Sequence, residues 1–377
     1  MRIAVVSPAY LAAENRKNVA ALARDAEVRV ISPDAGLHQV FSGLIEAPSG
    51  EDARHFALYP PRRVVGSVYV LRSRDLGLAA FEPDIVHVEH DPWAAIFWQA
   101  AFCRARYAPA ARMVITAKKN TYHRYPGPAG WLKGRLARRG LARVDHVIAA
   151  SEMTAELYRE IFGVPATRIT VIHHLGVDTA VFAPTDGQAG DGGQVVVGFC
   201  GRLEAHKGLT DLIEATRRAR AATGIDITLR LLGEGSLGAT LAAEADKREW
   251  IELLPTVAQA AVADFLRGLD IFALPARVLP DHQEHDAHAL LEALACGVAS
   301  IGTRSGIMPE ILGDGTGLLA APGEPESIAD ALATLAADSA RRVELGRRGR
   351  EKALREFSLE AVAARKIEVY EHVLAAA

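Results

Sequence analysis

The sequence predicts an α/β protein made of two domains, each built on a parallel sheet covered by helices. Short β-branched runs alternate with helix-like stretches along the chain, a pattern typical of parallel sheets. The chain has 377 residues, half of them apolar, which is enough for two hydrophobic cores. Residues 184–194 are rich in glycine and polar side chains, which cannot bury an apolar face, so they predict a linker between the domains.

The first predicted domain, residues 1–183, opens as a β-α-β unit with a helix at 11–24. Its strands are predicted from short β-branched runs at 2–7, 28–32, 67–71, 84–89, 113–116 and 146–149. The second predicted domain, residues 195–358, repeats the alternation. Its strands are predicted at 195–200, 227–232, 271–274, 298–302 and near 317, and its helices after Lys207 and Ser236, around Glu292, at 326–335 and at 339–357.

Composition and charge restrict the classes of function. A net charge of -3 argues against nucleic acid as the general partner. The three cysteines are isolated, so they indicate neither a disulfide framework nor a zinc ribbon, and we expect a reducing cytoplasmic location. The apolar run after Met1 is too short for a signal peptide, and no run approaches the ~18 apolar residues of a membrane span. We therefore expect neither a cleaved signal nor a transmembrane helix.

One segment departs from this charge balance. Residues 118–143 contain eight Lys or Arg side chains and no Asp or Glu. Trp131 and Leu132 lie among them, so the segment predicts a basic amphipathic helix. Two interpretations stay open: the helix contacts an anionic membrane on its inner face, or it forms a solvated basic rim or a site for a soluble anionic acceptor.

The most informative stretch is 281–297, where two carboxylates stand eight positions apart. The strong helix formers around Glu292 place it in a helix and leave Glu284 in the loop ahead. Carboxylates accept hydrogen bonds from hydroxyls, so the pair suits a ribose at one end and a hexose at the other. The helix N-terminus between them would present N–H groups to phosphates joining the two sugars.

Around these acids the sequence resembles the retaining GT-B glycosyltransferases of family four, the glycosyl transferases group 1. Residues 284–297 carry the family's Glu, seven residues, Glu arrangement followed by Ala-x-Ala-x-Gly. Residues 198–215, GFCGRLEAHKGLTDLIEA, match its Gly-Arg-Leu, Lys-Gly and Leu-Ile-Glu-Ala pattern. The resemblance implies a GT-B fold, with two Rossmann-like domains facing a central cleft and the last helix, 359–377, packing back on the first domain.

The resemblance also implies roles for residues of the second domain. Arg202 and Lys207, which follow a predicted strand at a helix start, would bind the donor diphosphate and stabilise the leaving group. Glu292 would accept from the ribose hydroxyls, and Glu284 would orient the transferred sugar. Gly233 would form a turn beside the nucleotide. The family's Gly-Phe-Gly after the first acid is replaced here by three residues that would contact the sugar differently: His285, Asp286 and Ala287.

For the acceptor side, the candidates are His90 and His123 of the first domain, at predicted strand ends. We expect retaining hexosyl transfer from a UDP- or GDP-sugar to a carbohydrate, lipid-linked or small-molecule acceptor in glycan, glycolipid or natural-product biosynthesis. Neither a metal nor a permanently bound cofactor is expected.

Four alternatives remain open at this stage. An epimerase or phosphorylase would share the fold. A non-catalytic nucleotide-sugar-binding protein is suggested by residues 7–15, which lack the family's usual glycine loop. A nicotinamide or flavin enzyme is suggested by the G-x-G-x-x-G pattern at 233–238. A metal site is suggested by the imidazoles and carboxylates of 281–288, although these match no standard ligand spacing.

Overall fold

The structure, a computed structural model, describes residues 1–34, 48–65, 68–119, 127–185, 193–280, 282–285 and 287–376. Contacts between Cα atoms divide the chain into two compact units, one of Met1–Gly176 with Leu359–Ala377 and one of Val177–Ser358. Most of the stretch expected as a linker lies outside the described residues. Each unit contains its own parallel sheet, so the predicted α/β class is confirmed.

The first unit contains a seven-stranded parallel sheet and a separate antiparallel hairpin. Its strands are β1 (Arg2–Val6), β2 (Glu27–Pro33), β3 (Phe56–Tyr59), β4 (Pro61–Val65), β5 (Val68–Leu71), β6 (Ile85–Val88), β7 (Arg112–Ala117), β8 (His146–Ala149) and β9 (Ile169–Val171). The sheet order is β3-β2-β1-β6-β7-β8-β9, and β4 pairs with β5. All four residues of β6 are buried, as expected for a strand covered on both faces.

The helices of the first half lie between these strands. They are α1 (Arg16–Leu22), α2 (Leu78–Phe81), α3 (Ala95–Tyr107), α4 (Pro128–Leu141) and α5 (Glu152–Phe162). Short 3-10 turns occupy Ala9–Leu11, Ala13–Asn15, Gly50–His55 and Ala166–Arg168. The clearest local signals flank α5: the Ser151 hydroxyl accepts from the Thr154 N–H at its start, and Gly163 ends it with a φ of 69°.

Two predictions for the first unit were wrong. The helix predicted from residue 11 begins only at Arg16, because side chains hold the preceding loop in two 3-10 turns. Asn15 Nδ2 donates to the Ala9 carbonyl, and the buried Arg16 guanidinium donates to the carbonyls of Tyr10 and Leu11. The strand predicted at 67–71 is not part of the parallel sheet; it forms the hairpin strand β5, and the unpredicted β3 takes the sheet edge.

The second unit repeats the architecture with six parallel strands. They are β10 (Gln194–Cys200), β11 (Asp226–Leu232), β12 (Ile251–Leu254), β13 (Ile271–Leu274), β14 (Ala299–Thr303) and β15 (Leu318–Ala320), in the order β12-β11-β10-β13-β14-β15. Its helices are α6 (Leu209–Thr223), α7 (Gly238–Ala245), α8 (Gln259–Arg267), α9 (His288–Ala295), α10 (Met308–Leu312), α11 (Pro325–Ala337) and α12 (Ser339–Lys352), with a 3-10 turn at Ala205–Lys207 and a π turn at Ala353–Phe357.

Strand order reverses once in each sheet, and this positions the candidate sites. In the first unit the reversal lies between β1 and β6, and in the second between β10 and β13. Open α/β sheets bind ligands in the crevice at the carboxyl ends of the strands on either side of such a reversal. We therefore expect ligands to bind to the segments that follow these four strands.

The last helix, α13 (Leu359–Ala375), follows the second unit in sequence but belongs to the first. Its Lys366 is 4% exposed; the ammonium lies 3.5 Å from Glu89 Oε1 and donates to the His174 carbonyl at 3.1 Å. The hydroxyl of Tyr370 lies 2.8 Å from His87 Nδ1. Within the described ranges, no helix combines the length and apolar character needed to cross a bilayer.

Replacing Lys366 by Met should lower the free energy of unfolding by about 3 kcal/mol, because the Glu89 carboxylate would lose a buried cation. Urea unfolding measures the loss. The control is Arg24→Ala, which removes an exposed ion pair between Arg24 and Glu360 of α13 and should cost less than ~1 kcal/mol. Equal losses in the two variants would contradict a stabilising role for the buried pair.

Candidate functional site

Two backbone turns pack against each other beside the strand reversal of the second sheet. A Cβ at Gly233, whose φ is 142°, would overlap the Gly201 carbonyl oxygen, and one at Gly235 would overlap Leu203. The Leu203 N–H donates to the Glu234 carbonyl at 2.8 Å. The glycines at 233 and 235 thus permit close packing of the turn that carries Arg202. Glu252, which lies nineteen residues after Gly233 in the sequence and would be the ribose-binding acid of a dinucleotide site, is paired with Arg230 at 2.8 Å.

Arg202 and Lys207 lie in the segment between β10 and α6. Arg202 is exposed, and its guanidinium makes no hydrogen bond or ion pair with any residue that the structure describes. Lys207 ends the 3-10 turn, and Gly208 follows with a φ of 71° at a point where a Cβ would overlap the Pro275 carbonyl. This contact fixes the turn after β10 against the end of β13.

Glu284 forms an ion pair with Lys207 beside the strand reversal between β10 and β13. Glu284 Oε2 lies 2.5 Å from Lys207 Nζ, and the glutamate is 3% exposed. Its Oε1 accepts from the Ala287 N–H at 3.4 Å, and its carbonyl accepts from the Ile307 N–H at 3.0 Å. The loop before α9 therefore brings a carboxylate to the lysine, a contact that was not predicted from the two sequence motifs.

Glu292 lies within α9 and is buried. His288 Nε2, one turn earlier, lies 3.7 Å from its Oε1. Burial raises the pKa of the Cys200 thiol at the end of β10, and the Glu292 carboxylate raises it further. Ala287, at the start of α9, has a φ of 21°, so an alanine adopts positive φ where the family pattern has glycine. Asp286 lies outside the described residues.

Three imidazoles lie in the same two segments as Lys207 and Glu284. The ring centroids of His206 and His282 are 4.4 Å apart, and those of His282 and His285 are 5.7 Å apart. Burial lowers the pKa of both His206 and His282, and neighbouring imidazoles lower it further. The Nε2 atoms of His206 and His282 are buried and have no hydrogen-bond partner within the described part of the chain.

The metal site suggested by the sequence of 281–288 finds no support within the described residues, which leave out Asp281 and Asp286. Among the residues with described positions, no group of three or more His, Cys, Asp or Glu side chains is arranged to hold an ion. His206 and His282, whose pKa values are lowered, offer hydrogen-bond donors and acceptors to hydroxyls together with the lysine and the carboxylate. Sequence reasoning missed His206, although it stands next to Lys207 in the motif that was recognised.

In the first unit, three consecutive polar residues follow β6. Each is bonded by a tyrosine hydroxyl from a different part of the unit: Tyr10 donates to Glu89 Oε1 at 2.8 Å, Tyr69 lies 3.1 Å from His90 Nε2, and Tyr158 donates to Asp91 Oδ1 at 3.3 Å. These residues stand at the strand reversal beside β1. The three tyrosines hold the segment in one conformation, and sequence reasoning identified only His90 among the six.

Glu89 is ionised although it is buried. Burial raises its pKa, but the surrounding cations lower it more strongly, and the net result is a pKa well below the ordinary value. His174 Nε2 lies 3.7 Å from Oε2 and Lys366 Nζ lies 3.5 Å from Oε1. The charge of Lys118, which follows β7, lowers the pKa of Glu89 further. The first unit thus encloses a fixed negative charge directly before His90.

The histidines of this unit differ in what their nitrogens contact. Burial lowers the pKa of His90 to about 4, with a further contribution from Lys118, so its imidazole is neutral at pH 7. His87 has both nitrogens occupied, by Thr116 Oγ1 at 2.7 Å and Tyr370 at 2.8 Å. His87 is therefore a buried structural residue. His123, the other acceptor-side candidate, lies outside the described residues.

The basic segment 118–143 forms α4 over its second half. The side chains of Trp131 and Leu132 are 61% and 51% exposed near its start. The Arg135 guanidinium lies 5.1 Å from the Trp131 ring centroid, and the Lys133 ammonium lies 4.8 Å from that of Trp93. This surface combines exposed apolar side chains with cations, as the sequence pattern indicated.

Comparison with known proteins gives matches over both units. The family described as Glycosyl transferases group 1 matches residues 186–352, and Glycosyltransferase Family 4 matches residues 19–181. The GDP-mannose-dependent alpha-(1-6)-phosphatidylinositol monomannoside mannosyltransferase of Mycolicibacterium smegmatis is 30% identical over 300 residues, which cover 74% of this chain and 77% of the relative.

A second relative is matched over a smaller share of its length. The D-inositol 3-phosphate glycosyltransferase of Kineococcus radiotolerans is 29% identical over 277 residues, 65% of this chain and 60% of the relative. Among solved structures, Anabaena HepE in complex with UDP superposes with a TM-score of 0.73 at 17% identity and covers 99% of this chain and 100% of HepE. This likeness shows the fold, and the predicted GT-B architecture is confirmed.

Replacing Gly306 by Ala should displace Glu284. Gly306 has a φ of 54°, and its Cβ would overlap the Glu284 carbonyl oxygen, so both backbone strain and a clash oppose the change. We expect a loss of about 3 kcal/mol in the free energy of unfolding. The matched control is Gly224→Ala, with a φ of 68° and no atom near the new Cβ, which should lose only ~1 kcal/mol. Chemical denaturation of both variants measures the two losses in free energy of unfolding. Equal losses would contradict the argument that the Cβ at position 306 clashes with Glu284.

Proposed function

This chain belongs to the group 1 glycosyl transferases of glycosyltransferase family 4, and we propose that it uses a nucleoside diphosphate sugar as donor and retains the configuration at the anomeric carbon. The observation that supports the donor site most is the contact of Lys207 with Glu284 at 2.5 Å beside the strand reversal of the second sheet. A cation for phosphate and an acceptor for sugar hydroxyls stand side by side there, as the junction of a nucleotide sugar requires.

Each candidate of the second unit has a role in this proposal. Arg202 and Lys207 bind the diphosphate, and the Arg202 guanidinium has no hydrogen bond or ion pair within the described residues that would compete with the phosphate oxygens. Glu292 accepts from the ribose hydroxyls, and Glu284 accepts from a hydroxyl of the transferred sugar. Gly233 lets the nucleotide-side turn pack closely beside Arg202. His285 and Ala287 would contact the sugar, and the same role is proposed from the sequence alone for Asp286, which lies outside the described residues.

The reaction breaks the bond between the anomeric carbon and the phosphate oxygen and forms a bond from that carbon to the acceptor oxygen or nitrogen. The transition state resembles an oxocarbenium ion. The bonding electrons leave with the nucleoside diphosphate, whose growing charge Arg202 and Lys207 stabilise. The acceptor's proton passes to the departing phosphate oxygen on the same face, so a protein base is not required.

The donor in this proposal is a UDP- or GDP-sugar carrying a hexose. HepE, which has this fold, is described in complex with UDP, and the mannosyltransferase relative is described as GDP-mannose-dependent. The acceptor is a carbohydrate, a lipid-linked sugar or a small molecule, and His90 and His123 are the acceptor-side candidates. The lipid-linked class is supported by the basic face of α4.

We also propose that α4 holds the protein against an anionic membrane surface. Trp131 and Leu132 would enter the interface while Arg135, Arg138 and Arg139 face the lipid phosphates. The absence of acidic residues from 118–143 leaves this charge uncompensated within the segment. Such a face would bring a cytoplasmic enzyme to a lipid-linked acceptor.

The donor site is tested by thermal unfolding with nucleoside diphosphates and nucleotide sugars. A ligand at a hundredfold its dissociation constant adds ~2.7 kcal/mol, so one nucleotide series should raise Tm in the wild type. Lys207→Ala should abolish the ligand-induced shift, and Lys247→Ala, which changes an exposed lysine paired with Glu244, should keep it.

The outcomes separate the alternatives. Absence of a shift in the wild type would contradict the donor site. A shift without diphosphate release for any acceptor would indicate a binding protein. Turnover without an acceptor would indicate an epimerase, and a requirement for orthophosphate would indicate a phosphorylase.

The membrane face is tested by sedimentation with vesicles. The wild type should bind vesicles containing phosphatidylglycerol and not vesicles of phosphatidylcholine. The double variant Trp131→Ser with Leu132→Ser should lose at least about tenfold in binding, since each buried apolar side chain is worth ~1.5–3 kcal/mol. Val343→Ser changes an apolar residue that is 60% exposed in the second unit and should bind as the wild type does. Failure of the wild type to bind anionic vesicles would favour the solvated-rim interpretation.

A further inference from the structure

The contact between Tyr69 and His90 determines both the position of the imidazole and which of its nitrogens carries the proton. Tyr69 lies on the hairpin strand β5, is buried, and has its hydroxyl 3.1 Å from His90 Nε2. The two rings meet edge to face, with centroids 6.0 Å apart. His90 therefore has one nitrogen committed to the protein, and its Nδ1 bonds no group within the residues described.

The direction of this hydrogen bond follows from the chemistry of the two groups. Burial raises the pKa of Tyr69, so the phenol keeps its proton. That proton has no other acceptor among the described side chains and backbone groups, whereas an imidazole lone pair is a good one. If His90 donated instead, the phenol proton would have no partner among the described residues, and because Tyr69 is only 6% exposed this would cost about 1–3 kcal/mol. The hydroxyl therefore donates to Nε2.

A neutral imidazole that accepts at one nitrogen carries its proton on the other. The charges facing His90 come from Lys118, at the end of β7, and from the adjacent Glu89, and burial together with Lys118 keeps the ring neutral. His87 shows the contrasting case: both of its nitrogens are bonded within the protein, and none is left for a ligand.

We propose that Tyr69 is a positioning residue that holds His90 as the Nδ1–H tautomer, so that His90 offers a hydrogen-bond donor to a substrate oxygen and does not act as a base. The assignment of the tautomer follows from the geometry of the two side chains. The identity of the hydrogen-bond acceptor rests on the proposed glycosyl transfer, in which the acceptor is a hydroxyl oxygen of a bound sugar. The hairpin β4–β5, which lies outside the parallel sheet, thereby contributes to substrate recognition.

The tautomer is tested first, without any substrate. In ¹⁵N-labelled protein at pH 7.5, the His90 ring, assigned by its loss in His90→Asn, should show a protonated Nδ1 and an unprotonated Nε2. In Tyr69→Phe, the pair of nitrogen shifts should move towards the opposite tautomer. Tyr158→Phe removes the neighbouring tyrosine bond to Asp91 and should leave both shifts unchanged, which separates tautomer control from a general loss of order.

The role of the donor is tested by kinetics with whichever donor and acceptor pair is turned over. Tyr69→Phe should lower kcat/KM by about three- to tenfold, the scale of one hydrogen bond. His90→Asn places an N–H near the position of Nδ1 and should retain more activity than His90→Gln, which places it near Nε2. In the His90→Asn background, Tyr69→Phe should have no further effect, because an amide has no tautomer to fix.

Each part of the proposal has its own contrary result. A protonated Nε2 in the wild type would overturn the tautomer, whether or not the protein transfers sugars. A correct tautomer combined with better activity in His90→Gln than in His90→Asn would overturn the donor role. Absence of any glycosyl transfer would overturn the proposed function and leave the nitrogen shifts as the independent result.

Discussion

The second unit depends on the ion pair between Lys207 and Glu284. Glu284 is 3% exposed, so its carboxylate would be a desolvated charge if it lost the Lys207 ammonium. Glu284 lies in the loop before α9, and Lys207 lies in the turn after β10. Their ion pair therefore connects the segments that follow β13 and β10, the two strands on either side of the strand reversal. Glycines at 208 and 306 allow the backbones on both sides to come close enough for this contact. The geometry of the crevice is therefore set before a ligand enters.

The first unit also contains a buried carboxylate that is paired with cationic and polar groups, but the residues differ. Glu89 stands at the corresponding strand end, is buried, and is matched by Lys366, His174 and the Tyr10 hydroxyl. Tyr10 belongs to the loop after β1, which has no glycine and is held instead by side chains bonding its carbonyl groups. A glycine-rich loop approaches a ligand through its own backbone, whereas this loop has its conformation fixed by the protein core.

The parts that were predictable are those whose information lies close together in the sequence. The acids at 284 and 292 and the Gly-Arg-Leu and Lys-Gly pattern at 198–215 each occupy less than twenty residues, and they predicted the family, which the comparisons confirm. The contacts of Tyr69 with His90 and of Lys366 with Glu89 join residues that are distant in sequence, so no local sequence pattern predicts them. Residues 67–71 were read as a sheet strand because a hairpin strand and a sheet strand share the same β-branched signal. Their different pairing is decided by neighbours that the sequence alone does not reveal.

The place of α13 in the chain has a consequence for biosynthesis. A ribosome delivers residues 1–176 first, then the whole of the second unit, and only afterwards the helix that carries Lys366 and Tyr370. Until then the nascent first unit holds a carboxylate without its lysine and an apolar face without its cover. Domains generally fold as they emerge, in N- to C-terminal order. Here the unit that is synthesised first is the one completed last, so it remains incomplete while its successor folds.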